Sequence, residues 1–125
     1  MYSLDMSKLK LKRIYESPAE DDGQRYLIER LWPRGMSREK AKLDDWLKNA
    51  APSAELRQWY DHDPAKWAEF RRRYFAELEK KPEAIAAIRE GLRKGHVTLV
   101  FASRSVELSC AVALREFLED LPESR

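Results

Sequence analysis

The segment that most constrains the fold is "HVTLVFA", residues 96–102. It is almost continuously apolar and rich in β-branched residues, which is typical of a strand buried on both faces. A second segment, "RYLIERL" at 25–31, is apolar on both faces through Tyr26, Leu27 and Ile28 and predicts another central strand. Doubly buried strands occur mainly in parallel sheets that helices cover, so the two segments indicate an α/β domain.

The rest of the chain predicts one more strand and several helices. "KLKLKRIYE", residues 8–16, alternates leucine and isoleucine with lysine, as an edge strand does. Capping residues and apolar stripes predict helices over 38–42, from Ser53 to about Tyr60, from Asp63 onward, from Pro82 to Gly95, and after 105. Residues 43–50 fit a strand or a helix.

Length and composition favour one domain in an ordinary reducing compartment. A chain of 125 residues with 43% hydrophobic residues suits a single compact α/β domain, 1–125, with a small, mostly parallel sheet covered by helices and a flexible N-terminus at 1–7. The single cysteine, Cys110, excludes an internal disulfide, and the chain starts without the pattern of a signal peptide. We therefore predict a cytoplasmic protein that does not insert in a membrane; its oligomeric state is left open.

Polar clusters follow both central strands. Glu29, Arg30, Trp32 and Arg34 follow the first, and Ser103, Arg104, Ser105 and Glu107 follow the second. Ligands of open α/β sheets bind outside the carboxyl ends of the strands, so the clusters share one site if the strands are parallel neighbours. We predict Arg30, Trp32, Arg34, Ser103, Arg104 and Ser105 as ligand-binding residues, and Glu29 and Glu107 as candidate catalytic acids or bases.

Each of these residues also has a structural interpretation. A tight link "SRS" into the last helix leaves free N–H groups for an anion, but Ser103 or Ser105 can instead simply cap that helix while Arg104 pairs with an acid. Trp32 fits a core position better than a stacking surface. His62 has no visible nucleophile partner, and Cys110 falls on the inward stripe of the last helix.

The composition leaves three functions open. The first is binding of a small anion, phosphate or nucleotide-like, at the strand ends, with or without catalysis. The second is a nucleic-acid-binding accessory or regulatory protein, which the arginines favour but the net charge of +2 does not. The third is a non-catalytic interaction module. No phosphate loop or paired metal ligands are present in the sequence, so we predict no cofactor and no metal.

The sequence resembles the YeaO-like family, domain of unknown function 488. The resemblance rests on "RLWPRG", on "APSAELRQW", on "HDPAKWAEFRRRY" and on "VTLVFASR", and it runs from about Lys12 to Leu118. It implies a bacterial or archaeal α/β protein without an established activity. It also implies a shared cluster of residues: Arg30, Trp32, Pro33, Arg34, Gly35, Lys40, Pro52, Ser53, Arg57, Trp59 and His62.

One stretch departs from the pattern of that family. After the last strand, relatives commonly carry an aspartate, a glutamate, a histidine and an asparagine. Here Ser105 stands in place of the aspartate, Leu108 in place of the histidine and Ser109 in place of the asparagine, and only Glu107 remains. If those polar groups carry chemistry in relatives, this chain has lost it or binds a different ligand.

Overall fold

Four short parallel strands form the sheet at the centre of the computed structural model, which describes residues 5–121. They are β1 (Leu9–Arg13), β2 (Gln24–Leu27), β3 (Asp45–Trp46) and β4 (Val97–Phe101), in the order β1-β4-β2-β3. β4 lies between β1 and β2 and is buried at every residue. The predicted α/β class, the edge position of the first strand and the central position of the next are confirmed.

Between residues 5 and 121 there are five α-helices: α1 (Arg38–Ala41), α2 (Ala54–Tyr60), α3 (Trp67–Glu79), α4 (Ala86–Lys94) and α5 (Cys110–Glu119). Short 3-10 helices cover Met6–Lys8, Glu20–Asp22, Lys48–Ala50, Pro64–Lys66 and Pro82–Ile85. The hydroxyls of Ser37, Ser53 and Ser109 cap α1, α2 and α5 by accepting the N–H of the residue three positions on. The ambiguous segment 43–50 contains both a two-residue strand and a 3-10 helix.

The sheet separates a large core from a small one. The large core packs α2 to α5 against one face of the sheet, around Phe70, Tyr74 and Leu114. The small core lies on the other face, around Leu27 and Val100, and is covered by a short aromatic and aliphatic layer. Burial of apolar side chains on both faces is the main stabilising contribution and explains why β4 is apolar at nearly every position.

β2 is shorter than the predicted strand at 25–31. The N–H of Ile28 still donates to the carbonyl of Val100 at 3.0 Å. The next N–H that a continued ladder would use, that of Ala102, donates instead to Oε2 of Glu29 at 2.9 Å. The carboxylate thus ends the strand pairing, and Leu31 emerges with 69% of its surface exposed.

The predicted flexible segment 1–7 is only partly described. Residues 1–4 lie outside the described range, while Asp5 caps the first 3-10 helix by accepting the N–H of Ser7 at 3.1 Å. Over residues 5–121, every helix is too short or too polar to cross a bilayer.

Candidate functional site

An open pocket of about 1040 Å³ lies at the carboxyl ends of β2 and β4. Its walls come from four segments and one core residue: Glu29 to Leu31, parts of 52–62, Ala102 to Ser105, Leu108 to Cys110, and Phe70. Because β2 and β4 pair in parallel, the residues that follow each strand leave the sheet on the same side. The pocket thus occupies the place where open α/β sheets hold ligands.

The structure brings five of the eight predicted site residues into this pocket. They are Glu29, Arg30, Ser103, Arg104 and Ser105. The other three, Trp32, Arg34 and Glu107, are absent from its lining. These five residues therefore lie around one pocket, and that they bind a ligand stays a prediction.

Trp32 belongs to the small core on the opposite face of the sheet. Its ring meets that of Trp46 edge to face with centroids 5.3 Å apart, and its Nε1 donates to the carbonyl of Met36 at 2.6 Å. Arg34 is exposed, and its carbonyl accepts the hydroxyl of Tyr15 at 3.0 Å. Both residues therefore shape the turn after β2 and stand away from the pocket.

The predicted start of the last helix is wrong. We expected Glu107 in its first turn after a brief "SRS" link, yet α5 begins at Cys110 and Ser109 is its cap. Residues 103–109 form a loop with its own hydrogen bonds: Ser103 donates to the carbonyl of Ser105 at 3.1 Å, and Ser105 accepts the N–H of Leu108 at 3.3 Å. These bonds stabilise the loop in place of a further helical turn and leave Glu107 exposed, outside the pocket.

Glu29 is the partly buried acid of the pocket. Its Oε2 accepts the N–H of Ala102 at 2.9 Å, and its backbone carbonyl accepts Nε1 of Trp46 at 2.5 Å, so both ends of the residue are fixed. Burial raises the pKa of Glu29, and the Ala102 N–H together with the charges of Arg57 and His62 offsets only part of that shift. Glu29 therefore protonates more readily than an exposed glutamate.

Arg30 lies beside Glu29 in sequence and joins the end of β2 to the segment before α2. Its Nε donates to the carbonyl of Pro52 at 3.0 Å and its Nη2 approaches the carbonyl of Ala51 at 3.5 Å. Two main-chain acceptors thus hold the guanidinium in one orientation on the pocket wall.

Arg57 and Arg104 differ from Arg30 because their guanidinium groups have no hydrogen-bond partner within the described residues. Arg57 lies on α2 and Arg104 on the loop after β4, and both are exposed. Within residues 5–121, neither guanidinium makes a hydrogen bond or an ion pair, although the charge of Arg57 acts on Glu29 across the pocket. The alternative that Arg104 merely pairs with an acid therefore has no support in the described part of the chain.

A strained turn after α2 forms another wall. Asp61 and His62 both adopt left-handed backbone angles, with φ of 45° and 57°. Such angles cost a non-glycine residue on the order of 1–3 kcal/mol and occur often at functional sites. Asp61 caps α2 by donating its N–H to the carbonyl of Arg57 at 3.0 Å, and His62 follows in the pocket lining.

The inner wall of the pocket is aromatic and sulfur-containing. Tyr60 stacks on Phe70 with ring centroids 4.2 Å apart, and its hydroxyl donates to the carbonyl of Leu108 at 3.1 Å, which joins α2 to the loop 103–109. The Cys110 Sγ lies 3.6 Å from the carbonyl of Ile28. Burial raises the pKa of the Cys110 thiol, and the nearby charge of Glu29 adds to that, so the thiol is a poor nucleophile, in keeping with a packing role.

Reasoning from strand ends missed Arg57, Tyr60, Asp61 and His62. They lie on or after α2, and no local signal places that helix over the ends of β2 and β4. The only hint was the family resemblance, whose shared cluster contains Arg57 and His62. Within residues 5–121, no group of three or more His, Cys, Asp or Glu residues is arranged to hold a metal ion.

Comparisons with known proteins identify the family. A family model described as the inactive DUF488-N3 subclade matches residues 8–125. This chain belongs to the DUF488 family. The chain is 32% identical to the uncharacterized protein YeaO of Escherichia coli K12 over 113 residues, which cover 90% of the chain and 98% of YeaO. The predicted YeaO-like membership is confirmed.

Other relatives of this DUF488 protein are also bacterial. An uncharacterized protein of Mycobacterium tuberculosis strain H37Rv is 39% identical over 112 residues, which cover 90% of the chain and 94% of the relative. An uncharacterized protein of Mycobacterium bovis matches with the same identity and coverage. No solved structure gives a significant match.

The three positions at which the resemblance implies a departure from the family pattern all line the pocket. Ser105, Leu108 and Ser109 are wall residues, whereas Glu107, the position that keeps the pattern, is exposed and outside. Ser109 is 1% exposed, and its hydroxyl is engaged by the carbonyl of Val106 at 2.7 Å and the N–H of Val112 at 3.4 Å. The hydroxyls of Ser105 and Ser109 therefore serve hydrogen bonds within the loop 103–109 and at the start of α5.

Proposed function

We propose that the pocket binds a small anion of the phosphate or nucleotide-like class and does not convert it. The observation that carries this proposal is a pair of arginines, Arg57 and Arg104, on two walls of one pocket at the strand ends. Neither guanidinium has a hydrogen bond or an ion pair with any residue from 5 to 121. A guanidinium offers a planar fork of donors that matches the oxygens of a phosphate or carboxylate.

The charges around the pocket support an anion. Three arginines, Arg30, Arg57 and Arg104, share the lining with two carboxylates, Glu29 and Asp61. Arg30 already donates to main-chain carbonyls, so its main contribution to the pocket is a positive charge in a fixed position. A concave site with excess positive charge concentrates anions and strengthens their attraction relative to open water.

Binding without catalysis is the version that the pocket supports better. Glu107, one of the two candidate acids, is outside it, and Oε2 of Glu29 is already engaged by the Ala102 N–H. Ser105 and Leu108 stand where the family resemblance implies an aspartate and a histidine. The matching family model is itself described as inactive.

Nucleic-acid binding ranks second because the arginines of the most basic stretch of the chain are paired with carboxylates. Arg71 pairs with Glu116 at 2.8 Å, and Arg72 and Arg73 pair with Glu69 at 2.5 and 2.7 Å. These three arginines are bound to carboxylates of α3 and α5, so they do not form a free basic face for a phosphate backbone.

The test is a binding titration with defined anions. Inorganic phosphate, ribose 5-phosphate and nucleoside monophosphates should raise the thermal midpoint of the wild type, and at equal concentration the tighter ligand should raise it more. Replacing Arg57 or Arg104 with Gln should weaken binding about tenfold or more, the usual effect of losing a charge-assisted hydrogen bond. The matched control is Arg34→Gln, which removes an exposed arginine outside the pocket and should bind as the wild type does.

Two results contradict the proposal. One is the absence of any stabilisation by these anions at low salt, which favours a non-catalytic interaction module. The other is an equal loss of binding in Arg34→Gln and Arg57→Gln, which indicates attraction to the whole surface and favours the nucleic-acid alternative.

A further inference from the structure

We infer that the ligand of this pocket carries an N–H donor as well as an anion, and that it is a nucleotide whose base donates to the free oxygen of Glu29. This inference rests on the proposed function, because it assigns the second half of the ligand whose first half the arginines bind. Glu29 is the residue that would distinguish a nucleotide from a simple phosphate.

Glu29 presents an unused acceptor to the pocket. Oε2 accepts the N–H of Ala102 at 2.9 Å, which fixes the plane of the carboxylate. Oε1 has no hydrogen-bond partner within residues 5–121. It is not fully buried either, so solvent or a ligand can reach it. One oxygen therefore serves the fold, and the other is left for the pocket.

An anion alone suits only part of this pocket. A ligand that excludes water from Glu29 without donating to Oε1 leaves a partly buried carboxylate unsatisfied, which is costly. An anionic oxygen near Oε1 is repelled as well. A ligand that directs its anionic group to Arg57 and Arg104 and an N–H group to Glu29 satisfies all three residues together.

The remaining lining favours a base over a second polar group. The pocket volume of about 1040 Å³ is far larger than a phosphate ion needs and matches the upper limit of cavities that hold complete small molecules. Leu31, Pro52, Tyr60, Phe70 and Leu108 supply apolar wall surface, with the side chain of Leu31 exposed beside Arg30. A flat, apolar ring with N–H groups on its edge matches such walls, and a phosphorylated amino sugar does not.

The experiment compares ligands that differ by one donor. Calorimetric titrations use ribose 5-phosphate, glucosamine 6-phosphate, AMP with purine riboside 5′-monophosphate, GMP with IMP, and CMP with 2-pyrimidinone riboside 5′-monophosphate. Within each nucleotide pair, the second member lacks the exocyclic amine. We expect at least one nucleotide to bind about tenfold more tightly than ribose 5-phosphate and to lose that advantage when its amine is absent.

The matching variant is Glu29→Gln. Its amide oxygen can still accept the Ala102 N–H, while its amide nitrogen replaces the free acceptor with a donor. We expect Glu29→Gln to bind ribose 5-phosphate more tightly than the wild type does, because a negative charge leaves the anion site, and to lose the preference for the nucleotide. Glu107→Gln, which changes an exposed glutamate outside the pocket, should keep that preference. Denaturant unfolding of both variants checks that they remain folded.

Four results overturn the inference and separate it from the proposed function. Equal affinity for ribose 5-phosphate and every nucleotide refutes recognition of the base and leaves the anion site supported. Tighter binding of glucosamine 6-phosphate than of any nucleotide has the same meaning. Equal weakening of both ligand types in Glu29→Gln shows that Glu29 only holds the wall. No binding of any anion refutes the proposed function itself.

Discussion

The two ends of β2 use the same kinds of charged residue in opposite ways. At its amino end, Asp22 is fully buried, and its carboxylate lies within 2.9 Å of Lys10 and Lys12 and within 2.7 Å of Arg25. The N–H of Ala19 adds a further hydrogen bond at 3.0 Å. At its carboxyl end, the side chain of Glu29 has one hydrogen bond, and the guanidinium groups of Arg57 and Arg104 have none in the part of the chain that the structure describes.

The difference separates charges that stabilise the fold from charges that are available to a ligand. A buried ion cluster is stable only when every member is paired, because a single unpaired charge in the interior is costly. Unpaired charges at the surface of a pocket cost little while water solvates them, and they gain a partner when a ligand arrives. We therefore expect mutations at the amino end to change stability and mutations at the carboxyl end to change binding.

The largest effect expected is that of Asp22→Asn. It leaves Arg25, which is 4% exposed, and two lysines without their common counter-charge. Breaking a buried pair in this way typically lowers the free energy of unfolding by about 3–5 kcal/mol. Urea unfolding at pH 7 measures it, with Asp21→Asn as control because that carboxylate is 76% exposed. If Asp22→Asn lowered the free energy of unfolding by less than about 1 kcal/mol, the charges at the amino end of β2 would stabilise the fold no more than those at its carboxyl end.

The next effect is the pH dependence that Asp22 creates. Burial by itself raises the pKa of Asp22, but hydrogen bonds from Lys12, Lys10, the Ala19 N–H and Arg25 outweigh it and hold the pKa well below its usual range. Its stabilising contribution is therefore complete above the unfolded pKa of about 4 and is lost as the pH falls toward the lower folded pKa.

Unfolding curves at several pH values between 3 and 7 test this. The difference in free energy of unfolding between wild type and Asp22→Asn should be constant from pH 5 to 7 and should shrink below pH 4. A difference that stays constant down to pH 3 means that the carboxylate is not held ionised by its partners.

A smaller effect of opposite sign is expected for Glu29. Because burial raises the pKa of Glu29, the folded state binds its proton more tightly than the unfolded state does. Its contribution to stability is full below the unfolded pKa and is lost as the pH rises through the higher folded pKa. In the absence of ligand, Glu29→Gln should therefore gain stability relative to wild type between pH 4 and pH 7, measured by the same unfolding curves. A relative loss over that interval would show that Glu29 is paired as Asp22 is.

The smallest effect is expected for the free arginines. Arg57→Gln and Arg104→Gln remove exposed guanidinium groups that have no partner in the described chain, so the free energy of unfolding should change by less than about 0.5 kcal/mol. Chemical unfolding without ligand provides the measurement, and the same proteins then serve in the binding titrations. A loss above about 1 kcal/mol in either variant would mean that the residue belongs to the fold and not to the pocket alone.

Local sequence signals were sufficient for most of the secondary structure. Val97–Phe101 is apolar at almost every position, so no other element suits it as well as a doubly buried strand. Asp63 followed by Pro64 marks a helix start because proline needs no N–H partner there, and the structure places a 3-10 turn and then α3 at that point. Gly95 ends α4 in the same local manner.

The start of α5 shows where local signals fail. Ser105 and Ser109 are equally suitable caps by residue type, and the choice between them depends on distant contacts. Arg13 donates to the carbonyl of Ser103 at 2.9 Å, and Tyr60 donates to the carbonyl of Leu108 at 3.1 Å. These two bonds engage main-chain carbonyls at both ends of the loop 103–109, and neither can be read from the loop itself.

The sequence by itself determined the elements, the polar residues at the two strand ends and the family. Hydrophobic periodicity and helix capping depend on residues only a few positions apart, so both can be recognised in the sequence. Only the tertiary structure decided that α2 lies across those strand ends and completes the pocket with Arg57, Tyr60 and His62. It also decided that Glu107 stays outside. Such placements follow from packing between segments far apart in the chain, where many arrangements bury the same apolar faces.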